Sequence, residues 1–172
     1  MAVGIWHRLD QTGRNILPVA LTVVMMLVAM VPVPLPGYSV VAPPLALMAV
    51  FYWTIHRPDL LRPLAAFLIG LLQDLLSGAP LGMTPLIYTL VYWLLINNRR
   101  FFLGSGFAML WWGFALVAAG ASVVQWAAYS LIQATVLDMT VLAFQTLVAI
   151  AIFPLPAWAL MRAHRAFLND EG

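Results

Sequence analysis

The chain has 172 residues, of which 64% are hydrophobic and only 8% charged; its formal net charge is +2 and it has no cysteine. A soluble domain carries about 25% charged residues, so this composition cannot build a water-facing surface, and the bilayer is the expected solvent. The missing cysteine excludes a disulfide framework and a Cys-ligated metal, and so few cations leave no basic face to follow a phosphate backbone, which argues against nucleic-acid binding.

In lipid every backbone N–H and C=O must be satisfied within the structure, which leaves helices or a closed barrel. Barrel strands alternate apolar and polar residues over about ten positions. The apolar runs here are continuous and longer, so the expected fold is all-α, a polytopic membrane protein of about six helices. Residues 1–15 are polar and mixed, an expected cytoplasmic segment. The first span is expected over 16–35, long enough for a crossing of about 20 residues; no cleavage site closes it, so it is not read as a signal peptide. It ends in Val31-Pro32-Val33-Pro34-Leu35-Pro36-Gly37, where alternating prolines cannot continue a helix and predict a short extended turn.

The second span is expected over 39–55, with Pro43 and Pro44 in its first turns. A charged turn from His56 to Pro63 follows, then a short third span over 64–77 that contains Asp74. Gly78-Ala79-Pro80-Leu81-Gly82 predicts a turn. The fourth span covers 83–97 and ends before Asn98-Arg99-Arg100; the fifth covers 102–131. The sixth covers 139–161, broken by Pro154 and Pro156, and a polar cytoplasmic tail follows over 162–172. The third and fourth are short enough to be a re-entrant pair instead.

All the cationic residues are arginines: 8, 14, 57, 62, 99, 100, 162 and 165. With six elements they all fall on one face of the membrane. Cytoplasmic loops are enriched in Lys and Arg, so both termini are expected in the cytoplasm, with 16–161 as the membrane domain.

Asp74 is the sharpest single residue. A carboxylate inside a membrane segment costs about 2.5–3.5 kcal/mol on insertion scales and faces a bundle interior or cavity. It can serve transport chemistry, or it can bond the backbone N–H groups freed at the 78–82 turn; the structural role is the expected one. Gly70, four residues earlier, shares its helix face and permits close helix approach. Gly78-x-x-x-Gly82 matches a helix-dimerisation pattern in form, but Pro80 inside it argues for a turn. The small cluster Ala118–Ser122, centred on Gly120, predicts a helix-packing seam, and Trp111, Trp112 and Trp126 fit interfacial aromatic belts. The three histidines, 7, 56 and 164, have no neighbours at ligand spacing, and no phosphate loop or nucleophile elbow is present. No enzyme activity, cofactor or metal is expected.

From Pro44 to Gly82 the chain reads Pro44-Leu45, Phe51-Tyr52-Trp53, Arg57-Pro58, Ala66-Phe67, Gly70-Leu71-Leu72-Gln73-Asp74, and Gly78-x-Pro80-Leu81-Gly82. This ordered set resembles the rod shape-determining protein MreD family, and the basic pair Arg99-Arg100 also fits. The resemblance implies a fold similar to the substrate-binding subunits of energy-coupling-factor transporters. It implies a non-enzymatic scaffold of the cell-elongation (Rod) complex that supports lateral peptidoglycan synthesis and rod shape. The implied partners are MreC directly, with MreB, RodZ, RodA and its transpeptidase in the same complex, and membrane lipids around them. Gly70, Asp74, Gly78, Pro80, Gly82, Arg57, Pro58, Tyr52, Trp53 and Gly120 are the interaction or structural candidates. The alternative is a small-molecule, vitamin-like binding subunit of a membrane transporter. That reading needs a pocket of convergent polar groups, for which Asp74, Gln73, Gln125 and Gln133 are the candidates; in the sequence they form no evident set.

Overall fold

The computed structural model describes residues 3–31, 43–104, 106–133 and 139–168. Among them the chain is all-helical, with seven α-helices and no strand: α1 (Val3–Met30), α2 (Leu45–His56), α3 (Pro63–Ser77), α4 (Met83–Leu103), α5 (Phe107–Gln133), α6 (Met139–Ile152) and α7 (Pro154–Leu168). The expected turn over 31–37 lies outside the described residues, except for Val31.

The helix at the centre is α2. It packs against α1, α4, α5 and α7, and every residue from Ala46 to Ile55 is buried. A helix that is apolar all round belongs in an interior, and Leu-Ala-Leu-Met-Ala-Val-Phe-Tyr-Trp has no polar face to turn outward. Its one mid-helix hydroxyl, Thr54, bonds back to the Val50 carbonyl at 2.7 Å. Phe51 holds the other elements to it. Its ring meets Phe102, Phe114 and Phe153 edge-on at 6.1, 5.4 and 5.7 Å between centroids, and Phe114 stacks on Phe153 at 4.2 Å.

The boundaries differ from the sequence reading in places that have local causes. The helix of α1 begins at Val3, so the polar segment from Val3 to Asn15 is helical and runs without a break into the apolar stretch. Pro43 and Pro44 stand before α2 rather than in its first turns; Pro44 is the N-cap, and its carbonyl accepts the Met48 N–H at 3.2 Å. The fourth helix carries on past Asn97 through the basic pair to Leu103. The expected sixth span is two helices, α6 and α7, bent by 44° at Phe153. Pro154 lacks an N–H to continue the ladder and its ring crowds the preceding turn, which accounts for the break. Helix α7 then runs to Leu168, so the start of the polar tail is helical.

By length and composition one described helix is able to cross a membrane alone, Phe107–Ile132 in α5; the bent α6–α7 pair passes the same test only when taken together. Helix α5 has 27 residues and is about 40 Å long at 1.5 Å per residue, against a hydrocarbon thickness of about 30 Å. Helices α2 and α3, of 12 and 15 residues, are too short to do this by themselves.

Candidate functional site

The most extensive helix contact joins α3 to α4, and it is built from the residues that the sequence marks. Helix α3 stops at Gly78, whose φ of 69° is the left-handed conformation that closes a helix. Pro80 follows at the position where a helix cannot resume. Gly82, with φ of 99°, is the N-cap of α4. Both angles favour glycine over any residue with a Cβ, so Gly78 and Gly82 are turn glycines rather than a dimerisation face.

Asp74 closes this hairpin. It is 1% exposed, and its Oδ2 accepts the N–H of Gly82 at 2.9 Å and of Thr84 at 3.2 Å. The first N–H groups of a helix have no intrahelical partner, and the N-terminal end of the helix dipole favours a negative charge. A carboxylate from α3 therefore supplies the cap that Gly82, with no side chain, cannot. One turn earlier, a Cβ placed on Gly70 would sit 2.6 Å from the backbone nitrogen of Pro85. Gly70 lets the backbones of α3 and α4 touch at the height where Asp74 needs to reach. Gly70 is thus spent inside the chain and leaves no surface for another helix.

Arg57, Pro58, Tyr52 and Trp53 gather at the opposite end, with the other described arginines. Arg99 of α4 donates from Nε to the Ile55 carbonyl at 2.6 Å and from a terminal nitrogen to the His56 carbonyl at 3.3 Å. A cation there meets the negative end of the α2 dipole. Tyr52 stacks on His56 at 4.1 Å, and Trp53 on His164 of α7 at 5.8 Å. The His56 imidazole is held below its ordinary value of 6.5 chiefly by burial; its bond to the Tyr52 carbonyl opposes this and Arg99 adds to it. Burial lowers His164 as well, helped by His56 and then Arg57. Arg57 pairs with Asp59 at 3.5 Å in a largely exposed setting, where such a bridge contributes little. Pro58 offers its carbonyl to the Tyr92 hydroxyl at 3.5 Å. Sequence reasoning missed the work of Arg99; a basic pair closing an apolar helix was the available signal.

A cavity of about 220 Å³ lies between these ends and nearer to Asp74, walled by α1, α2, α3, α4, α5 and α6. Gln73, Ser77, Thr84, Tyr88, Ser122, Gln125, Gln145 and Thr146 give it polar walls, and Met26, Leu47 and Ile87 are among its apolar ones. The Tyr88 hydroxyl donates to Gln73 Oε1 at 2.6 Å, and Ser122 and Thr146 share a hydroxyl–hydroxyl bond. The structure brings Gln73 and Gln125 to one cavity and adds Gln145, which the sequence did not single out. Asp74 is not part of the wall, and the Gln133 side chain lies outside the described residues. No cluster of His, Asp or Glu able to hold a metal occurs among the described residues.

The small cluster on α5 divides. Ala118 and Ala121 are buried and Ser122 bonds to Thr146, while Gly120 has open space where a Cβ would point. Gly120 lies in a second, apolar groove of about 200 Å³ between α4 and α5, lined by Ile87, Leu90, Val91, Leu94, Leu116, Val117, Ala121 and Val124.

Comparison with known families decides the identity. The family described as rod shape-determining protein MreD matches residues 10–163, nearly the whole chain. The chain belongs to the MreD family. MreD is a family of membrane proteins that act in determining rod shape, and it is not a known enzyme family. No curated protein and no solved structure matches the chain.

Proposed function

We propose that this MreD-family chain is a six-crossing, non-enzymatic scaffold of the bacterial cell-elongation complex, embedded in the inner membrane with both termini in the cytoplasm. The family match over 10–163 is the observation that carries the role in shape. Two features support the membrane part. Large apolar side chains line the outward faces of α3, which is too short to cross alone, and of α4: Leu64, Leu68, Leu72, Leu75 and Leu76 on α3 and Leu86, Leu90, Trp93 and Leu94 on α4. The described arginines gather at one end of the bundle, as the positive-inside rule requires of a cytoplasmic face.

The direct partner in this reading is the single membrane helix of an MreC-like protein, with MreB, RodZ, RodA and its transpeptidase assembling through it. The seat is the α4–α5 groove. Helices associate in lipid by close packing of small residues, and Gly120 offers that approach in an apolar groove with open space at its Cβ position, whereas Gly70 is occupied by Pro85. The test is co-purification in mild detergent of the chain with an MreC-like partner. Gly120→Leu is expected to lower recovery of the complex while the chain itself accumulates normally. Cells depleted of the chain are expected to lose rod shape. Normal shape and normal assembly of MreC after depletion would sink the scaffold reading.

A further inference from the structure

The α4–α5 seam makes no use of the polar cavity on the other side of α5. Three of the chain's five glutamines, Gln73, Gln125 and Gln145, come from three different helices to line it, together with Tyr88, Ser122 and Thr146. Polar side chains turned into a helical bundle cost free energy unless they find hydrogen-bond partners. Among the bonds across the walls are Tyr88 to Gln73 and Ser122 with Thr146, and Gln145 is engaged as well, which fixes where those groups stand.

Size limits what enters. At about 30 Å³ of liquid volume per water, 220 Å³ has room for about seven waters. It is smaller than the roughly 300–1,000 Å³ of pockets for drug-sized ligands, so the occupant is a single ring or a headgroup. Charge limits it further. Among the described residues no ionised side chain lines the cavity, and a buried ion without a counter-charge is strongly disfavoured. The N-terminus of α4 is the natural place for an anion, but the Asp74 carboxylate already occupies it through Gly82 and Thr84. What remains is chemistry that both donates and accepts, since each amide and hydroxyl in the wall does both, with apolar faces to lie against Met26, Leu47 and Ile87.

We propose that this cavity is a binding site for a neutral, amide- and hydroxyl-bearing ring, of which an acetamido sugar is the representative chemistry, presented as a free solute or as the headgroup of a lipid. The site shares the apolar residues Ile87 and Ala121 with the α4–α5 groove, but its polar wall and Gly120 belong to one site each.

The full chain in lipid nanodiscs tests it by saturation-transfer NMR. The probes are N-acetylglucosamine, its octyl glycoside, and two charged rings of the same size, glucosamine and glucuronate. A neutral probe is expected to bind about tenfold more tightly than either charged ring, and Gln125→Leu to weaken it about tenfold, the equivalent of one lost hydrogen bond. Ala118→Met, which fills the cavity from a position outside the α4–α5 groove, is expected to abolish binding; it keeps the test open should Gln125→Leu fail to fold. Binding of the octyl glycoside alone assigns the headgroup of a lipid, and equal binding of both neutral probes assigns a free solute. Silence from both neutral probes would leave a cavity holding water only and overturn the proposal. Equal binding of the charged rings, or binding that survives both substitutions in folded protein, would overturn it as well.

Discussion

At one end of the bundle Asp74 of α3 reaches the first N–H groups of α4; at the other, Arg99 of α4 reaches the last carbonyls of α2. Each end uses a charged side chain from one helix to finish its neighbour, and in each the sign of the charge opposes the sign of the helix terminus. The settings differ. Asp74 is 1% exposed, and among the described residues it is the sole charged side chain at its end. Arg99 stands among other arginines, two histidines and a turn with exposed charges. A carboxylate sealed in a backbone contact has nothing to replace it, whereas solvent and neighbouring polar groups can stand in for part of what an arginine does at an open end. Fragility is therefore expected at the Asp74 end and tolerance at the arginine end.

The largest effect is expected at Gly70. A Cβ there meets backbone atoms of Thr84 and Pro85, not a movable side chain. Gly70→Leu must pry α3 from α4 and is expected to cost about 3 kcal/mol or more, at the upper end of overpacking. Thermal unfolding of the purified chain in detergent measures it. A stability equal to that of the parent would mean that the hairpin is looser than the 2.6 Å approach implies.

Asp74 comes next and separates a cap from a carrier of charge. Asp74→Leu strands two N–H groups and is expected to cost about 2–3 kcal/mol. Asp74→Asn keeps an acceptor oxygen and should retain much of that stability and most shape-supporting activity. If Asn and Leu proved equally damaging at normal protein levels, the charge itself would be the function, and Asp74 would be more than a cap.

At the other end Arg99→Met removes both bonds to the α2 carbonyls, which water can then reach. The expected loss is about 1 kcal/mol, within the range for a cation at a helix C-terminus. A loss larger than that of Asp74→Leu would reverse the ranking of the two ends.

The comparison also separates what the sequence could announce from what it could not. The turn at 78–82 and the break at Pro154 follow from single-residue backbone rules, and those are readable without tertiary structure. Asp74 lay one helical turn from freed N–H groups, so its partners were local. The polar cavity was not legible, because Gln73, Gln125 and Gln145 come from α3, α5 and α6 and only packing around α2 brings them together. The start of α1 at Val3 escaped for a different reason. Hydropathy reports where a helix is apolar and not where it is helical, so a polar first half reads as a separate segment. Arg99 was seen as a marker of sidedness, and its geometry as a cap depends on the end of a helix more than 40 residues away in sequence.

The smallest expected effect is a pH dependence confined to the arginine end. His56 and His164 are both held below the ordinary 6.5. Near and beneath that value the unfolded chain therefore binds more protons than the folded one, and stability rises with pH across the window. Their contribution is complete above about 6.5 and is lost as pH falls from there through the lower, folded values. The groups facing them set the direction: Arg99 and Arg57 disfavour a further positive charge, and protonating one imidazole disfavours the other 6.1 Å away between ring centroids. Protonation of His164 would also place a cation in the stack with Trp53, where aromatic faces return some of the cost, so the slope should be shallow. Unfolding followed from pH 7.5 to 5.5 is expected to show a modest fall in the parent and a flatter profile in His56→Phe. An unchanged slope in His56→Phe would undo the assignment of pH sensitivity to the arginine end.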